Sequence, residues 1–258
     1  MIFDARPCEL GEGALWHPVR EQLFWFDILN RTLHSQPQSW SFPEYVSAAG
    51  WISRDELLVA CETGLFRLNL TTGDRATVAS AGTPETRSND GRAGIWRWYR
   101  GELRQIFKGI SIPNAICFTP DGTAAHFTDT ARAQVMKVAL DSAGWPVGEP
   151  QVWLDLARAG LNPDGAVIDA EGRFWNAQWG AGRVAAYGPD GVFLTAVETP
   201  GATQSSCPAF GGPDLTTLFV TTALEHMNAE ARARHPASGQ TFAFPDVAQG
   251  LPEPQVLT

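Results

Sequence analysis

Four acidic or amide side chains in this chain each stand in a turn just before an apolar, strand-like run. Carboxylate and amide oxygens without Cys or His are hard ligands, which suit Ca²⁺, Mg²⁺ or Mn²⁺ better than a typical Zn²⁺ site. Two carboxylates in one small volume repel each other unless a cation or a proton lies between them. Asp and Asn beside Gly or Pro are also ordinary turn formers, so each residue alone could be structural. The four positions are Glu12 in Gly-Glu-Gly, Asn89 in Ser-Asn-Asp-Gly, Asn114 in Pro-Asn-Ala and Asp164 in Pro-Asp-Gly.

The elements that must position these residues form an internal repeat. Each unit has three short apolar runs separated by polar turns, and units begin roughly 35 to 50 residues apart. This pattern is typical of four-stranded β-propeller blades, whose outermost strand would lie in the less regular linkers. A β-sandwich is the alternative, but it does not account for the fixed order within the units. The clearest units span residues 14–36, 48–70, 115–140, 165–188 and 207–244.

In a propeller, residues at the same phase before the innermost strands converge at one mouth of a central channel. Glu12, Asn114 and Asp164 precede the third strand of their units by 21, 21 and 20 residues, respectively. Asn89 precedes Ile95, the corresponding residue of the third unit, by only 6 residues. The shared phase therefore favours a metal-binding site over four separate structural turns. The third unit is about 15 residues shorter than the repeat predicts.

We therefore expect an all-β fold, a six-bladed β-propeller with a shortened third blade, forming a single domain over residues 1–258. Either that blade is truncated, or residues between Ala93 and Gly94 have been left out of the sequence. We favour the second explanation, because losing a central strand would expose two unpaired edges. Residues 223–235 are the one good helix candidate, inserted in the last blade.

Composition excludes several classes of function. The net charge of −9 and the pI near 5.0 argue against nucleic acid as a partner. No apolar run approaches ~18 residues, so no membrane partner or membrane span is expected. The residues after Met1 do not resemble a signal peptide, because Asp4 interrupts them. The four widely spaced cysteines predict reduced thiols in a cytoplasmic protein.

The sequence resembles the senescence marker protein/gluconolactonase family, which includes regucalcin and bacterial sugar lactonases. The resemblance covers nearly the whole chain and rests on the order and spacing of several motifs together. These are Leu10-Gly-Glu-Gly-Ala-Leu-Trp16 with Leu23-Phe-Trp-Phe-Asp-Ile28, Arg87-Ser-Asn-Asp-Gly91, Ile112-Pro-Asn-Ala115, Pro163-Asp-Gly165 and Gly172-Arg-Phe-Trp175.

The resemblance implies one divalent metal ion in the central channel. By that resemblance Glu12, Asn114 and Asp164 match the metal ligands, and Arg87 and Asn89 match residues that contact the substrate. Ca²⁺ is the preferred ion, with Zn²⁺, Mn²⁺ or Mg²⁺ as alternatives. The short third unit is a departure from the family, in a region that helps to cover the substrate.

The resemblance implies hydrolysis of a sugar lactone, an aldonolactone, to the aldonic acid. In that reaction Asp164 is the candidate general base for the attacking water, and the cation would polarise the carbonyl. The alternative is a non-catalytic, metal-stabilised propeller that binds a sugar acid or a protein partner. Hydrolysis of phosphoesters at the same metal is a third, weaker hypothesis.

Overall fold

The structure, a computed structural model, describes residues 1–80 and 94–257 of the chain. Burial along its strands alternates with a period of two, as in β8 (Gly64–Asn69), because successive side chains point to opposite faces. The strands of the first half are β1 (Ile2–Asp4), β2 (Gly11–His17), β3 (Gln22–Asp27), β4 (Thr32–Ser35), β5 (Ser39–Ser41), β6 (Val46–Ser53), β7 (Glu56–Cys61), β8, β9 (Arg75–Ser80), β10 (Gly94–Tyr99) and β11 (Glu102–Lys108).

The second half continues the same all-β pattern. Two short 3₁₀ turns, Thr130–Arg132 and Ala157–Ala159, and one helix interrupt it. The remaining elements are β12 (Pro113–Phe118), β13 (Ala124–Asp129), β14 (Gln134–Leu140), β15 (Pro146–Asp155), β16 (Asn162–Ile168), β17 (Phe174–Trp179), β18 (Arg183–Tyr187), β19 (Phe193–Glu198), β20 (Ser205–Gly211), β21 (Thr217–Thr222), α1 (Ala229–Arg234) and β22 (Thr241–Phe244).

Five four-stranded antiparallel sheets form the blades of a β-propeller in the described residues, and we name them A to E. Blade A contains β2 to β5, blade B β6 to β9, blade C β12 to β15, and blade D β16 to β19. Blade E contains β20 to β22 and is completed by β1. The first strands of the blades (β2, β6, β12, β16 and β20) line the channel, and contacts join β12 to β16, β16 to β20, β20 to β2 and β2 to β6.

The prediction of six blades with a shortened third blade is wrong, because residues 1–80 and 94–257 form five blades. Between blades B and C, β10 and β11 form a two-stranded hairpin and pair with no other described strand. The physical reason is the length of the third unit. Asn89 lies only 6 residues before Ile95, where the corresponding intervals of the other units are 20 or 21 residues, and a strand alone needs about five residues.

The N-terminal strand closes the ring. β1 pairs antiparallel with β22, and the amino group of Met1 donates a hydrogen bond of 2.9 Å to the carbonyl of Ala243. Phe3 of β1 then places its ring edge-on to Trp25 of blade A and Phe219 of blade E. The first and last parts of the chain are therefore joined by both backbone pairing and aromatic packing.

The core lies between neighbouring blades, where large side chains of adjacent sheets interdigitate. One cluster joins blades A and B through Phe24, Phe26 and Leu57, all of which are fully buried. Another joins blades D and E through Val184 and Leu218. Each blade is thus stabilised mainly by its neighbours, as expected for a stack of sheets that each bury two faces.

The helix predicted over residues 223–235 is shorter in the structure. It begins after Asn228, whose side chain accepts a hydrogen bond of 2.8 Å from the N–H of Ala231, and it ends at Arg234. The preceding residues are held outside the helix because Leu224 donates to the carbonyl of Glu9. No helix among the described residues is long and apolar enough to cross a membrane.

We expect the substitution Phe3→Ala to lower the free energy of unfolding by about 2 kcal/mol, because it removes the ring that joins blades A and E. Ile2→Ala is the control, since Ile2 is in the same strand but 47% exposed. Urea unfolding followed by Trp fluorescence measures both. Equal losses for the two variants would contradict a special role for Phe3 in closure.

Candidate functional site

The inner strands of all five blades share a local irregularity near their first residues. Each pairs with the next strand of its blade through a one-residue shift in register, a β-bulge, which bends the strand and re-aims a side chain. Repeating the bulge at one end of every inner strand gives the residues there a common direction. The shifts lie between Glu12 and Leu15, Val46 and Ala48, Asn114 and Cys117, Pro163 and Ala166, and Ser205 and Pro208.

Glu12 enters the channel from β2. Its side chain is buried, and Oε2 accepts a hydrogen bond of 3.0 Å from the N–H of Gly13. Gly13 has φ of +57°, and a Cβ at this position would collide with the carbonyl oxygen of Ser47 in β6. Only glycine therefore allows β2 to approach β6 this closely behind Glu12.

Asp164 enters from β16 and is equally buried. The side-chain amide of Asn176 in β17 donates hydrogen bonds to the backbone carbonyls of Asp164 (3.0 Å) and Gly165 (3.1 Å). A Cβ at Gly165 would lie 2.7 Å from the carbonyl oxygen of Ser206, so glycine is again needed where two inner strands meet. Asn176 thus fixes the bulge, and the bulge fixes the direction of the carboxylate.

Asn114 enters from β12, the inner strand that neighbours β16. Its Nδ2 donates to Oγ1 of Thr130 (3.2 Å), and that hydroxyl donates to the carbonyl of Pro163 (2.7 Å). This chain of hydrogen bonds connects blade C to the turn that carries Asp164. Because the amide nitrogen is engaged, the amide oxygen is the atom that can face a cation.

Burial and nearby negative charge disfavour the charged form of both carboxylates. Burial raises the pKa of Asp164 well above its ordinary value, and the charges of Glu12 and Glu225 raise it further, against the hydrogen bond from Gly165 and the contact with Asn114. Burial likewise raises the pKa of Glu12 to about 7, with Glu225 adding to the effect and the Gly13 N–H opposing it. Without a cation, the pair therefore retains protons near neutral pH.

This donor set fits a divalent cation. Glu12 and Asp164 supply two carboxylates and Asn114 an amide oxygen, which is the hard-oxygen chemistry of Ca²⁺, Mg²⁺ and Mn²⁺. A cation between the carboxylates would replace their protons and remove the cost of burying two like charges. The structure thus brings together all three residues predicted as metal ligands, and their role as ligands stays a prediction.

The channel next to these residues is large enough for a small sugar. Its cavity measures about 690 Å³, and Glu12, Asn114 and Cys207 line it. Pockets of this size hold small organic ligands in other proteins. Arg87 and Asn89, the predicted substrate-binding residues, lie outside the described residues.

Two residues near the site escaped the sequence analysis. Cys207 of β20 lies beside the carboxylates; burial raises the pKa of its thiol well above its ordinary value, and Glu12 and Asp164 add to the effect. Glu225 follows β21, in the insertion that interrupts the repeat. Only its charge and its place shortly after β21 could have suggested it as a site residue.

Cys8, Asp27 and His34 form a second group whose ligand atoms lie within 4.8 Å of one another. Asp27 already accepts hydrogen bonds from the backbone N–H groups of Glu9 and Leu10. Burial, followed by the charge of Asp27, raises the pKa of Cys8 to about 12, so the thiol stays protonated. The group is therefore a structural cap on the loop before β2 and a poor cation site.

The raised pKa of Glu12 predicts how the stability of the metal-free protein depends on pH. The pKa rises from 4.5 to about 7 on folding, so the folded state binds more protons, and stability falls as the pH rises through that interval. In the presence of a chelator, we expect Glu12→Gln to be more stable than the parent by up to about 3 kcal/mol at about pH 8.

Near about pH 4 the two proteins should have similar free energies of unfolding, because Glu12 is then neutral in both states. Urea denaturation at the two pH values measures the difference. Glu149→Gln, at an exposed position of β15, is the control and should show no such pH dependence. A variant that is less stable than the parent at the higher pH, with chelator present, would contradict the raised pKa of buried Glu12.

Comparison with known proteins identifies relatives over almost the full chain. A "putative sugar lactone lactonase" of Rhizobium meliloti is 36% identical, with 95% of this chain and 93% of the relative covered. The "pentonolactonase" of Haloferax volcanii is 32% identical, with 95% and 94% covered. The crystal structure of a regucalcin from Agrobacterium tumefaciens, described as a calcium-binding protein, is 36% identical, with a TM-score of 0.93 and 98% and 96% of the two chains covered.

The same comparisons locate an interruption in this chain. Its alignment with the Rhizobium protein runs over 276 positions, more than the 258 residues present here, so the relative contains residues that this chain lacks. A family model, the SMP-30/gluconolactonase/LRE-like region, matches in two segments, residues 10–96 and 93–224, which meet at the start of β10. The hairpin therefore stands where the family pattern is broken. Because the family model and these relatives match most of its length, the chain belongs to the SMP-30/gluconolactonase/LRE-like family.

Proposed function

We propose that this protein is a divalent-metal-dependent lactonase that hydrolyses a sugar lactone to the aldonic acid. The observation that carries the proposal is the pair of buried carboxylates, Glu12 and Asp164, beside the amide of Asn114. Glu12 and Asn114 also line the channel. Burying two carboxylates together is energetically unfavourable unless a cation compensates their charge. The relatives named as a putative sugar lactone lactonase and a pentonolactonase support lactones as the substrate class.

In this proposal Glu12, Asn114 and Asp164 hold the cation. When bound, the ion supplies a positive charge that polarises a lactone carbonyl and favours the negative charge that develops on its oxygen. Ca²⁺ is our first choice because the donors are all oxygen atoms, with Zn²⁺, Mn²⁺ and Mg²⁺ as alternatives. The regucalcin of similar structure is itself described as calcium-binding, which supports this order.

Asp164 is the residue we assign to proton transfer. One oxygen of its carboxylate accepts a proton from a water molecule as the oxygen of that water forms a bond to the lactone carbonyl carbon. The ring C–O bond then breaks, and the departing oxygen takes the proton back from Asp164 to become the hydroxyl of the aldonic acid, which regenerates the carboxylate. Asn176 keeps the backbone of Asp164 in place during these steps. Arg87 and Asn89 are proposed to bind the sugar, on the family resemblance alone.

A non-catalytic role as a scaffold is the second candidate, and one observation favours it. Beside the hairpin, Trp96, Ile116 and Phe118 are 37%, 51% and 54% exposed, which leaves an apolar surface at the break in the family pattern. Contiguous exposed apolar surface often binds a protein partner. A scaffold of this kind could bind a sugar acid or a protein without turning over a lactone.

Acid release from gluconolactone and a pentonolactone, measured in a pH-stat against the spontaneous rate, tests the proposal. Chelator-treated protein should be inactive and should recover activity with Ca²⁺, Mn²⁺, Zn²⁺ or Mg²⁺. Asp164→Asn should lower kcat by about 10²- to 10³-fold, because it removes a ligand and the proton acceptor together. Glu149→Gln, which changes an exposed carboxylate in the same way, should retain parental activity.

Full activity of Asp164→Asn, or turnover that does not depend on metal, would contradict the mechanism. Metal-dependent binding of gluconate without turnover of any lactone would instead support the sugar-acid-binding scaffold. Parallel assays with phosphoesters determine whether the same site accepts another ester class.

A further inference from the structure

A second cavity lies between the hairpin and blade C. It measures about 740 Å³, and its walls include Ile95 and Phe107 of the hairpin and Phe127 and Val138 of blade C. The same four side chains pack in one hydrophobic cluster, so the hairpin is held against blade C around the cavity. Cavities of this size with mainly apolar walls bind small organic ligands in other proteins.

This cavity adjoins the channel that carries the candidate site. Ile95 and Trp96 of the hairpin and Ile116 and Phe118 of β12 line both spaces. Ile116 follows Asn114 by two residues in the same strand, which is about 6 to 7 Å along it. A ligand with one group at Asn114 can therefore extend a chain of a few carbon atoms past Ile116 and into the second cavity.

The exposed side chains at this junction have a structural cause. Contacts link the inner strands in the order β12, β16, β20, β2 and β6, and the two-stranded hairpin stands between blades B and C. One face of β12 packs on blade D through Ala115 and Cys117, which are buried. The opposite face meets the cavity, and its Ile116 and Phe118 are 51% and 54% exposed. An apolar ligand group that covers them is favoured, because it removes apolar surface from water.

The charged residues around the cavity are already engaged. Arg97 donates hydrogen bonds to the backbone carbonyls of Gly144 (2.6 Å) and Ala143 (2.8 Å). Asp121 and Asp141 accept hydrogen bonds from residues of their own turns. These two carboxylates oppose an anionic group in the cavity, and the guanidinium is turned to the carbonyls. The cavity therefore suits a neutral alkyl chain better than a chain that ends in a carboxylate.

We propose that this cavity binds a neutral alkyl substituent of the substrate, and that lactones carrying such a chain are hydrolysed in preference to lactones without one. The proposal rests on the proposed lactonase function and names the substrate class of that same site. The lactone ring lies at Glu12, Asn114 and Asp164, and its substituent runs past Ile116 into the cavity. The apolar surface that a scaffold would offer to a protein partner is thereby assigned to the substrate.

A pair of lactones that share one ring tests the proposal. γ-Nonanolactone has four more methylene groups in its side chain than γ-valerolactone, and each methylene buried in an apolar site favours binding by about three- to fourfold. With the metal-loaded protein, we expect kcat/KM for γ-nonanolactone to exceed that for γ-valerolactone by at least about tenfold.

Two matched variants locate the effect. Phe118→Ser should lower the ratio of the two kcat/KM values about fivefold, because it removes apolar surface where the chain enters the cavity. Phe193→Ser is the control, since Phe193 is 50% exposed but lies in β19 of blade D. It should leave the ratio unchanged. Comparing ratios removes any effect of a substitution on turnover of the lactone ring itself.

A parental ratio below about twofold would overturn the proposal, and so would an equal fall in the ratio for both variants. Calorimetric titration with octyl β-glucoside, below its micelle concentration, and with methyl β-glucoside separates this proposal from the proposed function, because neither ligand is a lactone. If no lactone is hydrolysed, the lactonase assignment fails. Binding of the octyl compound at least about tenfold tighter than the methyl compound, and weakened by Phe118→Ser alone, would still identify the cavity as an alkyl-binding site. Equal or undetectable binding of the two would refute that role.

Discussion

Burying two carboxylates side by side is unfavourable, and the architecture around the channel holds Glu12 and Asp164 in that arrangement. Each would lower its energy by turning to solvent. Gly13 and Gly165 prevent this by allowing neighbouring inner strands to approach closely, and Asn176 fixes the backbone at Asp164. The fold therefore stabilises an arrangement that its own electrostatics oppose, which is typical of a site prepared for a ligand of opposite charge.

The same constraint explains why the site is built from bulges rather than from loops. A regular strand would place successive side chains on alternate faces of the blade, toward neighbouring blades. The one-residue shift at the start of each inner strand turns a side chain into the channel instead. Because the bulge is embedded in a paired sheet, the side chain is positioned with little conformational freedom.

Much of this arrangement could be predicted from the sequence, because the repeat assigns a common phase to residues far apart in the chain. Glu12, Asn114 and Asp164 share that phase, and the structure brings them together at one mouth. Glu225 could not be found this way, since it lies in an insertion that has no counterpart in the other units. The number of blades was also predicted wrongly, because one short unit was counted as a blade although its described residues form only a hairpin.

The pairing of β1 with β22 also affects how the molecule is made. The hydrogen bond between Met1 and Ala243 joins residues 242 positions apart, so β1 is synthesised long before its partner β22. Blades A to D can assemble during synthesis from contacts that are local in sequence, while blade E stays incomplete until β22 has been made. Until then the outer edge of β21 would offer unpaired backbone groups to other chains. Closure of the ring is therefore a late step, and it is the step that covers the open edges of β21 and β22.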